Sequence, residues 1–124
     1  MNFSNNYFTS SSCNEVPAGT IFYYKWNFYR MQRILKDHIK AFNLSSGKVE
    51  KLHRWEYNQT EESKRRNYGI FTGHTEYDKT DLIIKTIPAE ILIQALREDS
   101  EFQKKLKNFG LNINNILTNL GEQP

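Results

Sequence analysis

The stretch Thr20–Phe42, TIFYYKWNFYRMQRILKDHIKAF, decides how the rest of the chain is arranged. Ile21, Tyr24, Phe28, Met31, Leu35, His38 and Phe42 recur at alternating steps of three and four, and Ile39 thickens the same stripe. That spacing describes one face of a helix, so the stretch is expected as a single long helix. Thr20 is its natural N-cap, and the cluster Asn43-Leu44-Ser45-Ser46-Gly47 its natural stop. A short strand to Tyr29 competes, because Phe22, Tyr24, Trp26 and Phe28 also alternate, but the alternation lapses at Arg30 and Gln32. On the helix, Lys25, Tyr29, Arg33, Lys36 and Lys40 form a second stripe beside the apolar one, with Phe22 and Trp26 at its margin.

Toward the N-terminus, residues 1–19 are rich in Ser and Asn and end in Pro17-Ala18-Gly19. They are expected as a flexible tail, with Phe3, Tyr7 and Phe8 available to pack onto the domain or a partner. Toward the C-terminus, Lys48–Tyr57 is expected as a strand followed by the polar tract Asn58–Ser63. Asn67–Thr75 and Asp81–Ile87 are β-favouring as well, which makes a three-stranded antiparallel sheet. Pro88 opens a helix carrying Ile91, Leu92, Ala95 and Leu96; Ser100 caps a continuation through Phe102, Leu106 and Phe109. Gly110 ends it, and Asn112–Leu120 forms a last short helix. The expected fold is α+β: a long N-terminal helix and a C-terminal helical pair packed on a small antiparallel sheet, with residues 20–124 forming one domain. The helix, sheet, helix order resembles that of double-stranded RNA-binding domains, whose last helix begins with a basic pattern where this chain has Pro88-Ala89-Glu90-Ile91.

A chain of 124 residues with 38% hydrophobic content can bury a modest core without metal or disulfide staples. Its single cysteine, Cys13, excludes an internal disulfide and a cysteine-based zinc site. The N-terminus lacks a charged region followed by an apolar run, and no apolar run is long enough to span a bilayer. A cytoplasmic protein with no membrane partner, no metal and no cofactor is therefore expected. The net charge of +3 is unevenly placed: residues 21–66 hold eleven Lys or Arg against five acids, and residues 67–124 hold six against eight. The basic first half suits a nucleic acid, an anionic surface or an acidic protein.

Gly69-Ile70-Phe71-Thr72-Gly73-His74-Thr75 is not a phosphate loop, since its glycines stand too close and no lysine follows. His38, His53 and His74 share no metal-ligand spacing, although His53 with Glu56, or His74 with Glu76, offers the acid and base of a metal-independent ribonuclease. Phe102–Gly121 places Gly110 and Ile116 as in a helix-turn-helix, yet its second helix carries Asn and neither Lys nor Arg. The strongest candidate surface is the basic, aromatic stripe of Phe22, Lys25, Trp26, Tyr29, Arg33, Lys36 and Lys40, with Arg65 and Arg66 adding phosphate contacts. The expected function is a small non-enzymatic binding or regulatory protein acting on nucleic acid or a nucleoprotein complex. A protein-protein inhibitor, immunity or adaptor module is the first alternative, and a small metal-independent nuclease the second.

Overall fold

The computed structural model describes residues 6–59 and 77–123. Along them run β1 (Thr9–Ser12), a 3-10 turn (Cys13–Glu15), β2 (Ile21–Tyr24), β3 (Asn27–Ile34), β4 (His38–Asn43), β5 (Val49–His53), β6 (Trp55–Gln59), β7 (Tyr77–Asp81) and β8 (Ile83–Thr86). The helices α1 (Ala89–Glu98), α2 (Ser100–Asn108) and α3 (Ile113–Asn119) follow. The α+β class holds, but every α-helix among the described residues is C-terminal and the sheet is larger than three strands. Six antiparallel strands stand in the order β1-β8-β2-β3-β4-β5, and β6 pairs with β7 in a separate ribbon.

The long helix expected over Thr20–Phe42 is instead β2, β3 and β4, so the likeness in element order to double-stranded RNA-binding domains goes with it. The helical spacing has two physical sources. Over β2 and the first half of β3 both faces of the sheet are covered, so apolar residues do not alternate with polar ones: Ile21 and Phe28 face the helices, while Phe22, Tyr29 and Met31 face an inner core. In addition the β3–β4 register shifts between Met31 and Arg33. This bulge at Gln32 sends Gln32 and Arg33 both to solvent and returns Ile34 to the inner side, turning a step of two into a step of three. Local chemistry favours strands throughout, and the β2–β3 hairpin is zipped by aromatic cross-strand pairs. Phe22 stacks on Tyr29 at 5.5 Å, and Tyr23 meets Phe28 at 5.4 Å.

The sheet curls until its two sides meet. Only Arg54 separates β5 from β6 and only Leu82 separates β7 from β8, and the Leu82 N–H donates to the Arg54 carbonyl at 2.8 Å. Leu52 on β5 packs into the same cluster as Leu82 and Ile84, although a flat sheet would hold β5 and β8 roughly 19 Å apart. The β6–β7 ribbon thus joins the ends of the curl around Cys13, Val16, Phe22, Tyr29, Met31, Ile39, Ala41, Leu82 and Ile84. A second core lies outside the curl, where Phe28, Leu44 and Ile87 meet Leu92, Leu96, Phe102, Leu106 and Ile116 of the helices.

Residues 6–19, expected as part of a tail, pack onto this body. β1 pairs with β8, Cys13 and Val16 enter the inner core, and Tyr7 and Phe8 lie against the helical one. At the start of α1, Pro88 is the cap residue itself. Asp99, not Ser100, caps α2 by accepting from the Phe102 N–H at 3.0 Å. Gly110, at φ +79°, lets the Leu111 N–H reach back to the Leu106 carbonyl at 3.0 Å, closing α2 with a Schellman-type turn. The expected strand Asn67–Thr75 lies outside the described residues.

Candidate functional site

The helices cover only part of the outer sheet face. α3 ends beside Arg30, whose guanidinium donates to the Asn119 carbonyl at 2.6 Å and lies 5.6 Å over the Phe42 ring. Past that boundary β3, β4 and β5 carry exposed polar side chains outward while Ile39, Ala41 and Leu52 turn inward. Arg33 stands opposite Lys40, and Lys40 opposite Lys51. Three cations therefore form one row across three strands, spanning about 10 Å. Like charges placed directly across a strand pair repel, so the arrangement costs stability unless an anion neutralises it.

The next row holds His38 opposite His53. Lys36 and Asp37 occupy the β3–β4 turn at its end, both exposed. Asp37 Oδ1 lies 2.7 Å from His38 Nδ1, and that bond from the imidazole holds the Asp37 carboxyl below the usual carboxylate range. The other acid nearby, Glu50, points to the opposite side of the sheet, where its Oε2 accepts from Asn43 Nδ2 at 2.9 Å. Glu50 is engaged on the other face, whereas the Asp37 carboxylate lies close enough to Lys51 for their charges to attract, so among the described residues the row is offset at one end only.

This surface is not the one expected from the sequence, but it shares residues with it. Arg33, Lys36 and Lys40 are exposed and come together; Lys51, missed before, completes the row through the strand register. Phe22 and Tyr29 are not surface residues: strand alternation turns them into the inner core, where each is at most 4% exposed. Burial, with Glu50 beside it, pushes the Tyr29 hydroxyl far above its ordinary pKa. Lys25 and Trp26 form the β2–β3 turn at the opposite end of β3. Arg65 and Arg66 lie outside the described residues, as do His74 and Gly69–Thr75.

Of the proposed acid–base groups, His53 and Glu56 are exposed. His38 Nε2 is buried and without a hydrogen-bond partner, which shields from substrate the nitrogen that a proton shuttle needs. Three asparagines of the helix-turn-helix segment are taken up by the fold itself. Asn115 Nδ2 donates to the Ser45 carbonyl at 3.2 Å, Asn119 Nδ2 to the Leu44 carbonyl at 2.7 Å, and Asn112 caps α3. α3 is therefore anchored on the β4–β5 turn rather than presented as a reading helix.

Among the described residues no three His, Cys, Asp or Glu side chains converge as a metal site, and no helix is long and apolar enough to cross a membrane. No protein-family model, curated protein or solved structure matches the chain.

Proposed function

We propose that the chain is a small non-enzymatic binding protein that holds the phosphate backbone of a nucleic acid on the outer face of β3–β5. The observation carrying this is the Arg33–Lys40–Lys51 row, three cations in one cross-strand line that among the described residues have only Asp37, beside Lys51, to offset them. Phosphates are the anions best matched to such a row, because a polyanion meets several cations at once and releases its own counterions in doing so. Lys36 in the adjoining turn and Arg30 at the margin extend the footprint. Phe42, half-buried beneath Arg30, stands two residues along β4 from Lys40 and supplies an edge rather than an open stacking platform.

Backbone contacts of this kind give affinity that depends on salt more than on sequence. The test is fluorescence anisotropy with labelled single-stranded and duplex oligonucleotides across a salt series. Reversing all three charges, Arg33→Glu, Lys40→Glu and Lys51→Glu, is expected to flatten the slope of log K against log salt by roughly 2–3, as three lost phosphate contacts require. An unchanged slope, or no binding by the wild type at low salt, would sink the proposal.

A further inference from the structure

At the opposite end of the sheet is a feature the cation row does not use. Trp26 and Phe109 are 47% and 44% exposed, yet their rings stack on each other at 4.6 Å with 21° between planes. One comes from the β2–β3 turn and the other from just past the end of α2. Lys25 and Trp26 form that turn with φ of +42° and +69°. Two left-handed residues in a two-residue hairpin are what Asn-Gly supplies without strain, and here the positions carry a lysine and an indole. Such strain persists where surrounding contacts hold it, and it clusters where a side chain must be presented. The stack on Phe109 fixes the indole while leaving about half of each residue in water.

The surroundings are positive. Lys25 adjoins Trp26, and α2 bears Lys104, Lys105 and Lys107; its acids, Glu101 and the cap Asp99 whose charge faces Lys105, stand at the end of the helix away from Phe109. We infer that the Trp26–Phe109 pair is a docking point for an acidic segment of a partner protein, its carboxylates meeting Lys25 and the α2 lysines and an apolar side chain covering the two rings. Aromatic anchors inside a polar rim are where protein contacts concentrate their energy. A protein fits better than a nucleic-acid strand shared with the cation row. Trp26 and Arg33 are seven residues apart on extended chain, roughly 23 Å, and α3 crosses between them on Ser45, Leu44 and Arg30.

Selection from a phage-displayed library of random peptides on the immobilised protein tests this. Peptides enriched in Asp and Glu beside Leu, Phe or Trp are expected. They should bind Trp26→Ser and Phe109→Ser variants roughly tenfold or more weakly. Lys25→Glu, which leaves the rings intact, should weaken them as well, and Arg33→Glu with Lys40→Glu should leave them unchanged. Circular dichroism establishes that each variant is folded; if Trp26→Ser loses the native spectrum, the Phe109 and lysine variants decide. Four outcomes would overturn the inference. They are peptides without acidic bias, peptides indifferent to the ring variants, an oligothymidylate rather than a peptide shifting the Trp26 indole resonance, or a dimer abolished by Trp26→Ser.

Discussion

Asn43 is the one polar residue classed as buried among those described, and its side chain organises the backbone around it. Its Oδ1 accepts from the N–H groups of Ser45 and Ser46 at 2.9 and 3.1 Å, while its amide donates to Glu50. The β4–β5 turn that receives α3 is therefore built on a single carboxamide. Truncation to Ala strands two backbone donors and Glu50, so Asn43→Ala is expected to cost about 2–3 kcal/mol, read from the midpoint of urea unfolding. A second residue-scale device ties the N-terminal segment down: the Tyr7 hydroxyl donates to Asp99 Oδ2, and the ring meets Phe102 edge-on at 5.5 Å. The bonds from Tyr7 and from the Phe102 N–H lower the Asp99 pKa, in that order of size. A carboxyl depressed on folding stabilises above its unfolded pKa, about 3.9, and that stabilisation is lost as pH falls through the folded value. Asp99→Asn keeps a capping side chain but not the charge. Its stability deficit against wild type is expected to be full near pH 6 and to shrink as pH falls below about 4.

The junction where the curl closes depends on Arg54 at the scale of elements. Its Nε donates to Asp81 Oδ1 at 2.9 Å and a terminal nitrogen to the Leu35 carbonyl at 2.7 Å, with the guanidinium stacked 4.4 Å over Trp55. One side chain links the β3–β4 turn, the β5–β6 break and the end of β7. Arg54 and Asp81 are each only 18% exposed, so Arg54→Ala leaves a mostly buried carboxylate and a carbonyl unpaired; a loss of about 2–4 kcal/mol is expected in chemical denaturation. Arg54→Lys should recover little, because an ammonium cannot make the fork and the stack together. The C-terminal helices were readable from sequence for a plain reason: Leu92, Ala95 and Leu96, then Phe102 and Leu106, each bury one face and leave the other polar. β2–β4 misled because β2 and the start of β3 are covered on both faces and because the Gln32 bulge imitates a helical step. Arg33, Lys36 and Lys40 were legible as cations in the first half of the chain. Lys51 was one of those cations too, but its place in the row was not legible, because only strand register brings it beside Lys40.

Across the whole molecule, β1 closes contacts with a strand more than seventy residues away: Thr9 pairs with Thr86 and Ser12 with Ile83. The sheet order also sets β8 between β1 and β2, so most of the chain must be in place before that side is complete. Long-range pairing of this kind slows folding, and refolding after dilution from denaturant is expected on the millisecond-to-second scale of sheet-rich domains. Stopped-flow tryptophan fluorescence measures it. The two cores lie back to back across the same strands, so loosening the helices is expected to loosen the inner core too. Leu106→Ala, at a fully buried helix position, should lower stability by about 2–5 kcal/mol in one cooperative transition.

Cys13 turns this architecture into a clock. Its sulfur lies 3.8 Å from the Arg54 carbonyl and 3.8 Å from Asp81 Oδ1, fully buried where β1 turns into the inner core. Burial first, and the Asp81 charge next, push the thiol pKa up, so little thiolate is present at neutral pH. A thiol reagent reaches it only when β1 peels away from β8, and the rate of modification then counts openings of that one seam in an otherwise native molecule. As this is the chain's single cysteine, the unmodified protein already carries a local stopwatch for fraying at its N-terminal edge.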